Sequence, residues 1–147
     1  MKFDTAVRES VREELEKMGK VEVVVGIPCY NEEKTIAHIV STVGQGLKEH
    51  FPEKKSLIVV SDGGSLDDAR ENAESAPVPP DINRIVSIYR GLAGKGTAFR
   101  AIFEIAVMTG AEACVVVDSD LESIAPDWVK LLAQPLLDGK AGFVAPY

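Results

Sequence analysis

Val115-Val116-Val117-Asp118-Ser119-Asp120 is the stretch that decides how this sequence folds. A continuous run of β-branched residues is typical of a strand buried on both faces, as in a parallel sheet. The run ends in two acidic residues with one serine between them. Two carboxylates this close repel each other, so they need either water around them or a cation between them. The pattern therefore predicts either an exposed loop at the carboxyl end of a strand, or a divalent metal site that also holds a substrate's phosphates.

Length and composition are those of one soluble globular domain: 147 residues, 46% hydrophobic and 27% charged. The formal net charge of −7 argues against nucleic acid or an anionic membrane as a partner through net charge. No apolar run is long enough for a transmembrane helix, and the charged start Met1-Lys2-Phe3-Asp4 is not a signal peptide. Cys29 and Cys114 lie in apolar strand contexts without metal-type spacing, which predicts buried thiols and a cytoplasmic location.

Strand and helix patterns alternate strictly along the chain. The predicted strands are Val21–Ile27, Ser56–Ser61, Arg84–Tyr89, Ala113–Val117 and Ala141–Ala145. The predicted helices are Asp4–Met18, a helix capped by Asn31 that ends near Lys48, Ser65–Ser75, Thr97–Thr109, and a helix that starts at Pro126 and that Pro135 disturbs or ends. This order predicts an α/β fold with a mostly parallel, twisted sheet flanked by helices.

The first helix precedes the alternating pattern, so we assign residues 1–20 to an N-terminal helical extension and 21–147 to the α/β domain. The extension is expected to pack on the sheet or on another subunit. Because the sequence stops just after the fifth predicted strand, we expect the domain to be truncated. An unfinished sheet edge and the added helix favour self-association into a homo-oligomer.

Four polar or glycine-rich loops follow the predicted strands: 28–32, 62–65, 91–96 and 118–120. Loops after parallel strands open on the same edge of a sheet, so these four are expected to converge. One polar loop would carry little information, whereas four on one edge predict a ligand site.

For each candidate side chain in these loops, the sequence is consistent with a structural role as well as with a functional one. Asp62 can bind a base or ribose, or cap the next helix. Asn31 and Glu32 can line the site or serve the helix terminus. Tyr30 can stack on a base or shield the sheet edge. Lys95, between two glycines, can bind phosphate or lie solvated in a turn, and the spacing around it matches neither a Walker A loop nor a dinucleotide fingerprint.

Taken in order, the four loops resemble those of GT-A glycosyltransferases, at Ile27–Glu33, Val60–Asp67, Gly94–Ala98 and Val117–Asp120. The first of them resembles family 2 enzymes, which usually carry two adjacent acids where this chain has Asp62 followed by glycine. The third and fourth resemble the glucosyl-3-phosphoglycerate synthase group, and this second resemblance is the one we favour.

The resemblance implies a glycosyltransferase that moves a sugar from a UDP- or GDP-linked donor to an acceptor hydroxyl with Mg²⁺ or Mn²⁺. Asp120 would be the principal metal ligand, with Asp118 beside it. The implied nucleotide-sugar site consists of Pro28, Tyr30, Asn31, Glu32, Asp62, Lys95, Asp118 and Ser119. Within it, Asp62 would bind the base and Lys95 would lie by the diphosphate.

In that fold the acceptor side follows the fifth strand, so this chain is expected to carry the donor half and to transfer sugar poorly. Two alternatives stay open. One is a non-catalytic nucleotide-binding α/β domain. The other is a haloacid-dehalogenase-type phosphatase, which also uses an Asp-x-Asp but needs a later lysine and acidic pair for which this chain has no room.

Overall fold

The computed structural model describes residues 4–121 and 123–139. In chain order the elements are α1 (Glu9–Met18), β1 (Val23–Cys29), α2 (Ile36–His50), β2 (Ser56–Asp62), α3 (Ala69–Ser75), β3 (Asn83–Ile88), α4 (Lys95–Thr109), β4 (Ala113–Val116) and α5 (Asp127–Leu137). This alternation confirms the predicted α/β fold. The predicted strand Ala141–Ala145 lies outside the described residues.

The sheet has four strands in the order β3-β2-β1-β4, and every pairing is parallel. β1 is therefore central, with Val25 level with Ile58 on one side and Val115 on the other. All seven residues of β1 are buried, as are all seven of β2. Parallel pairing brings the carboxyl ends of all four strands to one edge, which is where the polar loops lie.

Helices cover both faces of the sheet because successive side chains of a strand point to opposite faces. Val25 and Ile27 belong to a core cluster shared with α2, α3 and α5. Val24 belongs to a second cluster shared with α1 and α4. On that second face, a Cβ added to Gly26 would lie 2.3 Å from a methyl carbon of Ile102. Glycine at this position therefore allows α4 to approach the centre of the sheet closely.

The N-terminal helix packs on the sheet, which was one of its two predicted positions. Its apolar residues Val11 and Leu15 are buried in the same cluster as α4. The preceding turn is also attached, because the Ala6 amide donates to Glu104 Oε2 at 2.8 Å and Arg8 Nε donates to the Ile88 carbonyl at 2.7 Å. This helix therefore shares the core of the α/β domain. The division into 1–20 and 21–147 stays a prediction.

Several helix boundaries differ from the predicted ones. α1 begins at Glu9 rather than Asp4, and α3 begins at Ala69 rather than Ser65. α2 begins at Ile36 with Thr35 as its N-cap, so the prediction that Asn31 caps this helix is wrong. α5 continues through Pro135 to Leu137, so the proline does not end it. α4 begins at Lys95, two residues earlier than predicted, which puts the lysine in its first turn. No described helix is both long and apolar enough to cross a membrane.

Candidate active site

An open cavity of about 560 Å³ lies at the carboxyl edge of the sheet. This volume is within the range typical of small-molecule sites, which is roughly 300–1,000 Å³. The described residues that line it come from the loops after all four strands and from the start of α4: Pro28, Cys29, Tyr30, Glu32, Gly63, Tyr89, Ala93, Gly94, Lys95, Ala98, Asp118, Ser119 and Asp120. The four polar loops therefore converge on one site.

Most of the predicted site residues line this cavity. They are Pro28, Tyr30, Glu32, Lys95, Asp118, Ser119 and Asp120. Asn31 and Asp62 are not among the lining residues. Both lie immediately beside the cavity, and their hydrogen bonds explain their positions.

Asp62 is completely buried at the end of β2, and both of its carboxylate oxygens accept hydrogen bonds from its own loop. Oδ2 accepts from the amides of Gly64 and Ser65 at 2.8 and 2.7 Å, and Oδ1 accepts from Ser65 Oγ at 2.5 Å. The Arg70 guanidinium adds an ion pair at 2.9 Å. Burial alone would raise the pKa of Asp62, but the bonds from Ser65, Arg70 and Gly64 outweigh it and hold the pKa below its usual value. Because Asp62 is completely buried, a base in the cavity would reach it only if the loop moved, and the contact between Asp62 and a base stays a prediction.

Asn31 joins the loop after β1 to the loop after β2. Its amide donates to Ser65 Oγ at 2.8 Å, and its Oδ1 accepts from the Leu66 amide at 2.8 Å. Its backbone is left-handed, with φ 52°, a conformation that asparagine tolerates better than most residues. Asn31 therefore holds the neighbouring Tyr30 and Glu32 at the cavity wall.

Lys95 and Asp118 face each other across the cavity. The Lys95 Nζ lies 3.0 Å from Asp118 Oδ1 and 5.9 Å from the centroid of the Phe99 ring. The lysine side chain is 61% exposed and the Asp118 side chain 45%. Ion pairs this exposed contribute only about 0–1 kcal/mol, so either partner can exchange the other for a ligand or an ion. An ammonium beside Asp118 also means that this position already accepts a cation.

Hydrogen bonds fix the backbone of the acidic loop, residues 117–120, whereas its carboxylates are not fixed in this way. The Val117 amide donates to the Gly26 carbonyl at 2.9 Å, which continues the pairing with β1. Ser119 is buried, and its carbonyl accepts a 2.6 Å bond from Thr35 Oγ1 at the start of α2. Asp118 lies between these two hydrogen-bonded residues and Asp120 follows them, and both aspartates line the cavity. Thr35 was not singled out from the sequence, because no local pattern connects it to Ser119, 84 positions away.

Tyr89 and Gly63 are cavity residues that sequence reasoning did not single out. Tyr89 follows β3, and its Oη accepts a bond from the Gly94 amide at 2.9 Å. A Cβ added to Gly63 would lie 2.9 Å from that Oη and 3.4 Å from Cδ1 of Tyr30. Gly63 thus makes room where the two tyrosines converge. The position of Tyr89 at the end of a predicted strand, on the same edge as the polar loops, was the available signal.

Cys29 lines the cavity, but it is not a nucleophile at ordinary pH. Both cysteines are free thiols, and Cys29 is buried. Burial, together with the charge of Asp62, raises the pKa of Cys29 to about 12, and burial raises that of Cys114 to about 11. Because the thiolate is the reactive form, both side chains behave as packing residues.

A second group of metal-binding residue types lies elsewhere. Ligand atoms of Glu49, His50 and Asp127 come within 4.8 Å of one another, with His50 Nε2 2.9 Å from Asp127 Oδ1. His50 ends α2, whose 15 residues span about 22 Å from the cavity end. This group therefore belongs to the opposite end of the helix and cannot share an ion with Asp118 and Asp120.

Comparison with known families identifies the class of protein. Residues 24–146 match the family described as glycosyl transferase family 2, so the chain belongs to that family. This confirms the resemblance to GT-A glycosyltransferases and disfavours the dehalogenase-type alternative. A comparison with curated proteins finds no match.

Solved structures similar to this chain include several of glucosyl-3-phosphoglycerate synthase from Mycobacterium tuberculosis. One has 25% sequence identity and a TM-score of 0.58, with 88% of this chain and 45% of that one covered. A second, in complex with Mg²⁺ and uridine diphosphate, has 27% identity and a TM-score of 0.57 over 86% and 43% of the two chains. A third, with Mn²⁺ and UDP-glucose, has 26% identity and a TM-score of 0.59 over 88% and 44%. The chain thus spans a little under half the length of these relatives.

Proposed function

We propose that this chain carries the donor-binding site of a glycosyltransferase that moves a sugar from a nucleotide-diphosphate sugar to an acceptor hydroxyl. The observation that carries the proposal is the cavity at the carboxyl edge of the sheet in a family 2 chain, lined by residues at the carboxyl ends of all four strands. UDP-linked donors are the first to test, ahead of GDP-linked ones, because the similar structures hold uridine nucleotides.

The base and ribose would bind on the β1 side of the cavity. Tyr30 offers a ring that is 55% exposed, which suits stacking on a base. Pro28 and Glu32 line the wall next to it, and the Glu32 carboxylate can accept hydrogen bonds from ribose hydroxyls. Asn31 supports this wall through its bonds to the second loop, and Asp62 supports that loop from beneath.

The diphosphate would bind between the start of α4 and the acidic loop. Lys95 supplies a positive charge there, and the first-turn amides of α4 add the positive end of the helix dipole. The carboxylates of Asp118 and Asp120 would otherwise repel the diphosphate, so the site needs a further cation.

A divalent ion fits these residues. Asp120 is exposed at the cavity and Asp118 is half-exposed, so hard oxygen ligands are available without the desolvation cost that a buried site carries. Asp120 would be the principal ligand, with Asp118 beside it and Ser119 holding the loop. Bound Mg²⁺ or Mn²⁺ supplies positive charge that offsets the charge growing on the diphosphate as it departs. With Asp118 holding such an ion, Lys95 would be available to bind the diphosphate.

We also propose a cytoplasmic location and self-association. The two free thiols support a reducing compartment. Within the described residues, β3 and β4 each pair with a strand on one side only, and such edge strands support association between copies. The acceptor remains a hydroxyl compound to be identified.

Isothermal titration of the chain with UDP and GDP, with and without Mn²⁺, tests the donor site. We expect Mn²⁺ to tighten nucleotide binding and Asp120→Ala to abolish the metal-dependent part. Asp127→Ala is the matched control, because it removes a carboxylate from the distal group and should leave nucleotide binding unchanged. Absence of nucleotide heat both with and without metal would contradict the proposal.

A further inference from the structure

We propose that Tyr89 is a positioning residue of the donor site. Its hydroxyl holds the amino end of α4 and thereby places Lys95 for the diphosphate of the donor. The inference rests on the proposed function, since it assumes that a nucleoside diphosphate occupies the cavity.

The hydroxyl of Tyr89 binds the backbone at the start of α4. A side chain at the N-cap usually accepts from the second or third amide of a helix and thereby fixes its start. Here the N-cap is Gly94, which has no side chain to do so. The Gly94 amide itself donates to Tyr89 Oη at 2.9 Å, so the residue that follows β3 fixes the point where α4 begins. The backbone at Gly94, with φ 145°, is one that favours glycine, which explains why no side-chain cap stands there.

Tyr89 is itself fixed from two directions. Its amide donates to the Asp62 carbonyl at 3.1 Å, which extends the pairing of β3 with β2 by one residue. Its ring reaches over Gly63, where a Cβ would lie 2.9 Å from Oη. Asp62 is in turn anchored by its bonds to Ser65 and Arg70. A rigid loop therefore determines the position of the tyrosine hydroxyl.

The bond between Tyr89 and Gly94 affects the position of Lys95, which directly follows Gly94. Its ammonium lies 3.0 Å from Asp118 on the opposite side of the cavity. The lysine side chain is long and mostly exposed, so its reach depends on where its backbone is held. Loss of the Tyr89–Gly94 bond would free that backbone and spread the ammonium over more positions. Binding of the phosphate groups should weaken, whereas binding of the nucleoside part should not.

The experiment compares uridine and UDP, each titrated calorimetrically with Mn²⁺ present, in the wild type, Tyr89→Phe, Lys95→Met and the double variant. Tyr89→Phe keeps the ring and removes one hydroxyl. We expect it to weaken UDP about three- to tenfold, the effect typical of one hydrogen bond, and to change uridine by less than about twofold. If Tyr89 acts through Lys95, the double variant should bind UDP no more weakly than Lys95→Met alone.

A matched control keeps the test sharp. Ser87→Ala removes a hydroxyl from β3, one whose bond goes to the Ile88 carbonyl, and it should have no effect on either ligand.

Three results would overturn the inference. Equal losses of uridine and UDP in Tyr89→Phe would mean a purely structural role, and additive losses in the double variant would mean that Tyr89 acts independently of Lys95. If wild-type protein binds UDP and Tyr89→Phe binds it as tightly, only this inference fails. If wild-type protein binds no nucleotide, the proposed function fails as well.

Discussion

Two acidic loops flank the central strand at the same edge of the sheet, and they use their carboxylates in opposite ways. Asp62, after β2, is completely buried and accepts bonds from two amides, a hydroxyl and a guanidinium. Asp118, after β4, is 45% exposed and is paired across the cavity with Lys95. The same residue type at equivalent strand ends thus supports the structure in one loop and faces the cavity in the other.

The difference follows from solvation. A buried carboxylate is tolerated only when hydrogen bonds and a counter-charge replace water, and the resulting network is costly to break. An exposed carboxylate keeps its water, so its partner contributes little and is easily replaced. The loop after β2 contains the donors that bind Asp62. In the acidic loop after β4, the Val117 amide binds Gly26 and the Ser119 carbonyl binds Thr35 instead. Asp118 and Asp120 are therefore the carboxylates available to a ligand.

The largest expected effect is on the free energy of unfolding. Asp62→Ala leaves the Gly64 and Ser65 amides and the Arg70 guanidinium without their acceptor, so we expect a loss on the order of 3 kcal/mol. Asp118→Ala removes only an exposed pair and should change stability by no more than about 0.5 kcal/mol. Urea denaturation of both variants measures the contrast. Similar values for the two would show that burial does not separate these loops.

Acid titration sharpens the same comparison. Because the folded state holds the pKa of Asp62 below its ordinary value of about 4, the stabilisation is complete above that pH and is lost as pH falls through the lowered pKa. We expect the stability difference between wild type and Asp62→Asn to be constant from about pH 7 to pH 5 and to shrink below about pH 4. Denaturant titrations across this range check it. A difference that grows on acidification would contradict the assigned sign.

Replacing the lysine tests whether Asp118 is exchangeable. In Lys95→Met, Mn²⁺ alone should bind up to about fivefold more tightly, because an exposed pair of at most about 1 kcal/mol no longer competes for Asp118. UDP in the presence of Mn²⁺ should bind more weakly in the same variant, because the diphosphate loses a positive charge. Calorimetry gives both values. Lys130→Met, which alters a lysine of α5 outside the cavity, is the control.

The smallest expected effect concerns the thiol next to the buried acid. The negative charge of Asp62 contributes to the raised pKa of Cys29, after burial, whereas burial alone raises that of Cys114. Asp62→Asn should therefore speed the reaction of Cys29 with a disulfide reagent at pH 8 and leave Cys114 unchanged. Mass spectrometry of the labelled peptides distinguishes the two sites. Equal acceleration of both would indicate general loosening of the fold instead.

Much of this arrangement was predictable because it depends on local patterns. The run before Asp118 predicted a strand of a parallel sheet buried on both faces. β4 does belong to a fully parallel sheet, but it is the last strand among the described residues and only alternate residues of it are buried. Chain alternation then placed the strand-end loops on one edge, and seven of the nine predicted site residues line its cavity: Pro28, Tyr30, Glu32, Lys95, Asp118, Ser119 and Asp120.

The errors came from contacts between loops that are distant in sequence. Asn31 looked like a helix cap because asparagine before acidic residues usually is one, yet its side chain bonds Leu66, 35 positions away. The sequence pattern did not single out Thr35, yet its hydroxyl holds the Ser119 carbonyl 84 positions away. No spacing rule connects such pairs, because their distance is set by how the strands order themselves in the sheet.

The sequence by itself determined the alternation of strands and helices, the edge of the sheet at which the polar loops converge and the residue types available there. These follow from hydrophobic periodicity and turn chemistry, which act over a few residues. Only the tertiary structure decided which carboxylate is buried and which is exposed at the cavity. Burial depends on how the segments pack around each strand end: Asp62 is enclosed and is bound by Gly64, Ser65 and Arg70, whereas the partner of Asp118 comes from α4. The Asp118–Asp120 stretch therefore faces the cavity because its neighbours in space leave its side chains in reach of a ligand.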